Sequence, residues 1–140
     1  MFRDTAAAVG AEIHFAGPIE GRVESDCNMY PSTPFGPLRG ELRGECQRRN
    51  TATVLKAVEV LRRSFDISDD AVASGTGNVT GLTHLFGRWS CVAEAPLTVC
   101  DTGHNQGGWE LIINELKNIE QRPRHLVMGF VADKDLGHIF

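Results

Sequence analysis

The residues Leu97-Thr98-Val99-Cys100-Asp101-Thr102-Gly103-His104-Asn105-Gln106-Gly107-Gly108-Trp109 read as a buried strand, a glycine-containing turn and the start of a helix. The apolar run over 97–100 has the length of a strand rather than a helix. Beyond the turn, Trp109, Ile112, Ile113, Leu116 and Ile119 recur at helical spacing. Pro123 ends that segment, and His125-Leu126-Val127-Met128-Gly129-Phe130-Val131 reads as a second buried strand. Strand, turn, helix and strand predict a βαβ unit over 97–131, with parallel strands and a right-handed crossover. Such strands need cover on both faces, which one helix does not supply. A further helix is expected to start where the sequence stops, and the opening helix is barely two turns long. Both ends of the chain therefore read as cut.

Toward the N-terminus, residues 47–63 carry the strongest helix signal. Val54, Leu55, Val58, Leu61 and Phe65 form one apolar stripe, and most of the arginines fall off it. A weaker helix is expected over 68–75, with Asp69 and Asp70 in its first turn, where carboxylates complement the dipole. Ala6, Ala7, Ala8 and Ala11 read as the end of a helix, and Ile13 and Phe15 as a short strand. Residues 17–40, with Pro31, Pro34 and Pro37, read as loop with one edge strand, and Leu38 and Leu42 as a strand running into Gly44. A domain boundary is expected near 89–96.

Composition narrows the class. The chain has 140 residues, 41% hydrophobic and 23% charged, a soluble globular mix of about one domain's length. A net charge of −4 disfavours a nucleic-acid surface, which needs clustered cations to displace phosphate counterions. No apolar run approaches the ~20 residues that span a bilayer, and Met1-Phe2-Arg3-Asp4 does not open a signal peptide. Four cysteines without a C-x-x-C pair predict neither a disulfide scaffold nor a zinc site, and a reducing cytoplasm fits them.

The turn over 101–108 is the best chemical candidate. An Asp at the carboxyl end of a parallel strand faces the crevice where α/β sheets bind ligands. The next helix offers N–H groups and a positive dipole end to an anion. The same residues equally suit an ordinary strand-to-helix turn capped by Asn105 or Asp101. Asp133-Lys134-Asp135 would occupy the adjacent sheet edge, as a phosphate or carboxylate contact or as a solvated charge cluster. Gly75-Thr76-Gly77-Asn78-Val79-Thr80-Gly81 fails as a dinucleotide fingerprint, because the third glycine is one place late and no strand precedes it, so it reads as loop. No phosphate-binding loop motif occurs. The histidines lack metal-ligand spacing, and neither Ser90 nor any cysteine is set up as a nucleophile.

Three segments in order resemble one family. Residues 42–53, Leu-Arg-Gly-Glu-Cys-Gln-Arg-Arg-Asn-Thr-Ala-Thr, resemble its L-x-G-x-x-Q-x-x-N-x-x-T stretch before a long helix. Phe86-Gly87-Arg88-Trp89 resembles its P-G-R motif at an inter-domain linker. Asp101-Thr102-Gly103-His104-Asn105 resembles D-x-A-H-N, followed at the right distance by Met128-Gly129-Phe130 and Asp133-Lys134-Asp135. The family is that of folylpolyglutamate synthase and bifunctional dihydrofolate synthase, in the Mur ligase superfamily, and the resemblance covers about residues 38–140. Gly103 departs from the usual Ala, Gln106 from Pro and Phe86 from Pro. The family's phosphate-binding loop and magnesium ligands lie in an N-terminal part that this sequence does not contain.

The resemblance implies an α/β, Mur-ligase-like fold. Residues 1–90 would be the end of the central ATPase domain, and 91–140 the start of a Rossmann-like C-terminal domain with the parallel βαβ unit. It implies an ATP-dependent ligase that uses magnesium. ATP phosphorylates a folate or dihydropteroate carboxylate, and the amino group of glutamate attacks the acyl phosphate to give an amide, ADP and phosphate. Carried over by motif, Asn50, Arg88 and Asp101 contact ATP: an amide reads the adenine edge, a guanidinium neutralises phosphate, and a carboxylate accepts ribose hydroxyls. By analogy with the wider superfamily, His104 and Lys134 face the incoming glutamate. No catalytic residue and no metal ligand is assigned within the chain, which is expected to be inactive alone. The alternative is a stand-alone nucleotide-binding module without ligase activity.

Overall fold

Tyr30 organises the first half of the chain. Its ring is fully buried at the end of a short strand and lies between two glycines. A Cβ at Gly21 would stand 2.8 Å from one edge of the ring, and a Cβ at Gly40 2.8 Å from the other. Only glycine admits the ring at that approach. Three strands result: β1 (Arg22–Val23), β2 (Asn28–Tyr30) and β3 (Leu38–Gly40), in antiparallel order β1-β2-β3. Tyr30 stands opposite Leu38, and Met29 opposite Arg39.

The computed structural model describes residues 1–24, 26–131 and 137. It divides into two units, Met1–Leu82 and Thr83–Phe140. The first opens with α1 (Phe2–Ala8) and continues through the sheet to α2 (Glu45–Leu61), α3 (Asp69–Gly77) and α4 (Val79–Thr83) at its end. Its core is Tyr30, Phe35, Leu38, Leu55 and Val72. Burying Leu38, Leu55 and Val72 contributes about 1.5–3 kcal/mol each. Of the apolar stripe on α2, Leu55 is buried whereas Val54 and Leu61 are exposed. Gly44 precedes α2 at φ +103, a backbone region that favours glycine. Ser68 caps α3 by accepting a hydrogen bond from the Ala71 amide, and Asp69 and Asp70 occupy its first turn.

The second unit holds β4 (Ser90–Glu94), β5 (Leu97–Cys100) and α5 (Gln106–Asn118). β4 and β5 pair antiparallel, with Ser90 opposite Cys100. Asn105 caps α5 by accepting a hydrogen bond from the Gly108 amide at 2.8 Å.

The mixed helix–strand composition and α2, α3, β3, β5 and α5 agree with the sequence reading, but several expectations need correction. The expected parallel βαβ unit over 97–131 does not form among the described residues. β5 is in an antiparallel hairpin, residues 125–131 carry no strand, and Val127 is 99% exposed. An apolar run supplies strand preference, but a ladder needs a partner beside it. Leu97 and Thr98 are exposed rather than buried. β4 lies within the stretch 89–96. Ahead of the strand expected from Leu38, which forms as β3, residues 17–37 hold two strands rather than one; 13–15 hold none, and 79–83 form α4 where loop was expected.

Candidate functional site

Two turns of the second unit are fastened together by side chains. Asp101 directly follows β5, and its half-buried carboxylate accepts two backbone N–H groups: Oδ2 from Trp89 at 2.8 Å and Oδ1 from Gly103 at 2.7 Å. Each carboxylate oxygen has about two lone-pair sites, so each can still accept another donor. Trp89 sits at φ +52, an uncommon conformation for a bulky residue, and the Asp101 bond holds its amide there. The Thr102 amide donates to the Gly87 carbonyl at 3.0 Å, and so does its hydroxyl, at 3.0 Å. Ser90 Oγ accepts from the Gly87 amide at 3.1 Å and from the Arg88 amide at 3.4 Å. Arg88 Nη1 donates to the Gly87 carbonyl at 3.1 Å and to Thr102 Oγ1.

A cleft of about 190 Å³ opens beside this knot, lined by Trp89, Asp101, Gly103, Trp109, Ile112 and the 125–129 segment. Both tryptophans of the chain stand on it. Trp109 packs on Phe130 with ring centroids 6.0 Å apart. Gly107 and Gly108, in the first turn of α5, add no side chains there. The arrangement offers a carboxylate acceptor, a guanidinium on the neighbouring turn, aromatic walls and a helix N-terminus, a set suited to a phosphorylated or ribose-bearing ligand.

The structure thus puts Arg88 and Asp101 on one hydrogen-bonded pair of turns. Asn50 belongs to the unit Met1–Leu82. It is exposed on α2, and its Nδ2 donates to Gln47 Oε1 at 3.0 Å. His104 is exposed, with Nδ1 3.3 Å from the Thr102 carbonyl. Lys134 lies outside the described residues. Sequence reasoning missed Trp89, Ser90 and Thr102. The hydroxyls carry no motif, and only their nearness to Gly87-Arg88 and Asp101 in sequence pointed toward them. Among the described residues no group of three or more His, Cys, Asp or Glu could hold a metal ion. A larger cleft of about 530 Å³ lies in the first unit against Leu55, Lys56 and Glu59, and none of the candidate residues lines it.

No protein-family profile matches the chain. Across 149 aligned residues it is 27% identical to folylpolyglutamate synthase of Lacticaseibacillus casei, a match covering 94% of the chain and 34% of that protein. The chain resembles part of a folylpolyglutamate synthase. It spans about a third of that relative's length. Solved structures agree on the fold. A folylpolyglutamate synthase complex with AMPPCP and folate matches with a TM-score of 0.64 at 20% identity, over 85% of this chain and 31% of the other. The folylpolyglutamate synthetase from Lactobacillus casei matches with a TM-score of 0.62 at 20% identity, over 85% and 32%. The fold is therefore a partial α/β fold of the folylpolyglutamate synthase kind, in which the hairpin and the Asp101 turn lead into α5.

Proposed function

We propose that the chain forms the nucleotide-contacting part of an ATP-dependent ligase that joins glutamate to a folate or pteroate carboxylate through an acyl phosphate. The observation that carries this reading is the fastening of the Arg88 turn to the Asp101 turn. Two residues brought forward by separate motifs are anchored on one structural knot beside a cleft. In this reading Asp101 accepts ribose hydroxyls with its remaining lone pairs. Arg88 neutralises phosphate, and the Asn50 amide reads the adenine edge. The match to folylpolyglutamate synthase supports ATP and a folate as substrates. His104 and Lys134 belong to the same proposal as contacts for the incoming glutamate. So does the division into the end of a central domain over 1–90 and the start of a C-terminal domain over 91–140. Magnesium offsets phosphate charge in such transfers, and no residue of this chain is assigned as its ligand. No helix among the described residues is long and apolar enough to cross a membrane, and the proposal places the protein in the cytoplasm, away from nucleic acid.

The test is steady-state kinetics in a ligase that contains this chain together with a phosphate-binding domain. Losing a hydrogen bond to a charged group costs about 1.5–3 kcal/mol, so Asp101→Ala should raise the KM for ATP roughly tenfold or more. The KM for the folate should stay put. Unchanged ATP kinetics would remove Asp101 from the site.

A further inference from the structure

Arg88 is exposed, and a free arginine side chain samples many rotamers that a phosphate contact must freeze. Here the freezing is already done. Nη1 donates to both Thr102 Oγ1 and the Gly87 carbonyl, and the Thr102 hydroxyl spends its own proton on that carbonyl. The donor and acceptor directions are consistent: hydroxyl to carbonyl, guanidinium to both oxygens. These contacts use Nη1 alone. The edge formed by Nε and Nη2, which can grip two oxygens of one phosphate side-on, makes no hydrogen bond among the described residues. Gly87 completes the device. It is buried at φ +79, and a Cβ on it would stand 2.5 Å from Thr102 Cγ2, so the threonine methyl fills the place of a side chain.

We infer that Thr102 is a positioning residue that presets the Arg88 guanidinium with its Nε–Nη2 edge open to a phosphate. This rests on reading Arg88 as the phosphate contact. It assigns a role to a position that the D-x-A-H-N pattern leaves unspecified. Thr102→Val keeps the amide bond to Gly87 and loses both hydroxyl bonds, Thr102→Ser keeps all three, and only the positioning role makes the mobility of Arg88 follow the hydroxyl.

The experiment uses the 140-residue chain with magnesium-ATP as probe. Binding is followed by NMR titration, and Arg88 Nε–Hε relaxation is measured without nucleotide. The expected result is a rigid Arg88 side chain in the wild type and in Thr102→Ser, and a mobile one in Thr102→Val. Thr102→Val should bind ATP roughly tenfold more weakly, the lower end for one hydrogen bond to a charged group, and Thr102→Ser should bind close to wild type. Arg88→Ala should bind more weakly still. If Arg88→Ala weakens binding and Thr102→Val does not, the inference falls while the phosphate reading stands. If Arg88→Ala binds like the wild type, both fall. Should Thr102→Val not fold, a mobile Arg88 side chain in the wild type overturns the inference and a rigid one upholds it.

Discussion

Trp89 is held at φ +52 by a hydrogen bond to a carboxylate twelve residues on. Asp101 therefore has a structural task besides any chemical one. Removing the side chain leaves the Trp89 and Gly103 amides without their acceptor. Asp101→Ala should destabilise the unit Thr83–Phe140 by about 1–3 kcal/mol, the usual cost of orphaning such donors. Urea denaturation followed by tryptophan fluorescence reads this unit selectively, because both tryptophans lie in it. The two glycines nearby separate in the same assay. Gly87→Ala forces a Cβ against Thr102 at φ +79 and should cost about 1–3 kcal/mol. Gly103→Ala meets the terminal methyl of Ile112, which can rotate away, and Asp101 Oδ1 at 3.1 Å, which must give by a few tenths of an ångström, so a cost of about 1 kcal/mol, below that of Gly87→Ala, is expected. At this scale Asp101 was legible by its place after an apolar run, and Arg88 only through the resemblance of Phe86-Gly87-Arg88-Trp89 to a family motif. The knot joining them was not. It depends on a positive φ at a tryptophan and on two hydroxyls that any loop could carry.

Among the elements, α2, α3, α5, β3 and β5 were legible, whereas α4, β4 and the pairing of β1 with β2 were not. α2, α3 and α5 carry 3.6-residue periodicity, a Ser68 cap or an Asn105 cap, signals written along one stretch of chain. β1, β2 and β3 are two or three residues long and exist because Tyr30 fits between Gly21 and Gly40, a relation between distant residues. Residues 125–131 show the converse: strand-like composition without a ladder. Asn105→Ala should remove the cap of α5 and cost about 1 kcal/mol. Helical circular dichroism during urea unfolding reads it, and an unchanged midpoint would contradict the cap. A second prediction concerns Glu41, which follows β3 and accepts the Thr80 amide at 2.8 Å and the Thr80 hydroxyl. Burial pushes its carboxyl up, but these bonds, the Val79 amide and the Arg39 charge outweigh it, leaving the group below its ordinary value of 4.5. A carboxyl lowered on folding stabilises above its unfolded pKa and loses that contribution as pH falls through the folded one. Glu41→Gln should therefore destabilise the unit Met1–Leu82 at pH 7 and do so less as pH drops below about 4.5. A difference that stays constant from pH 7 to pH 3 would contradict the assignment.

For the whole molecule, the account proposes that nucleotide contacts and chemistry are separable. Phosphoryl transfer depends on positioning the γ-phosphate and stabilising its charge, and no phosphate-binding loop motif occurs in the sequence. The purified chain, given magnesium-ATP, a reduced folate and glutamate, should release no ADP and lengthen no folate. Sustained product that scales with protein and disappears in Asp101→Ala would overturn that expectation. The central claim is that Asp101 and the cleft beside it receive the nucleotide. Trp89 and Trp109 both line that cleft, and no other tryptophan exists to blur the signal. The most direct measurement is tryptophan fluorescence of the chain titrated with magnesium-ATP, in the wild type and in folded Asp101→Asn, with acetate as an anion control. The account predicts a saturable change in the wild type, markedly weaker in Asp101→Asn and absent with acetate at equal ionic strength. No change in the wild type, or the same titration curve in both proteins, would contradict it.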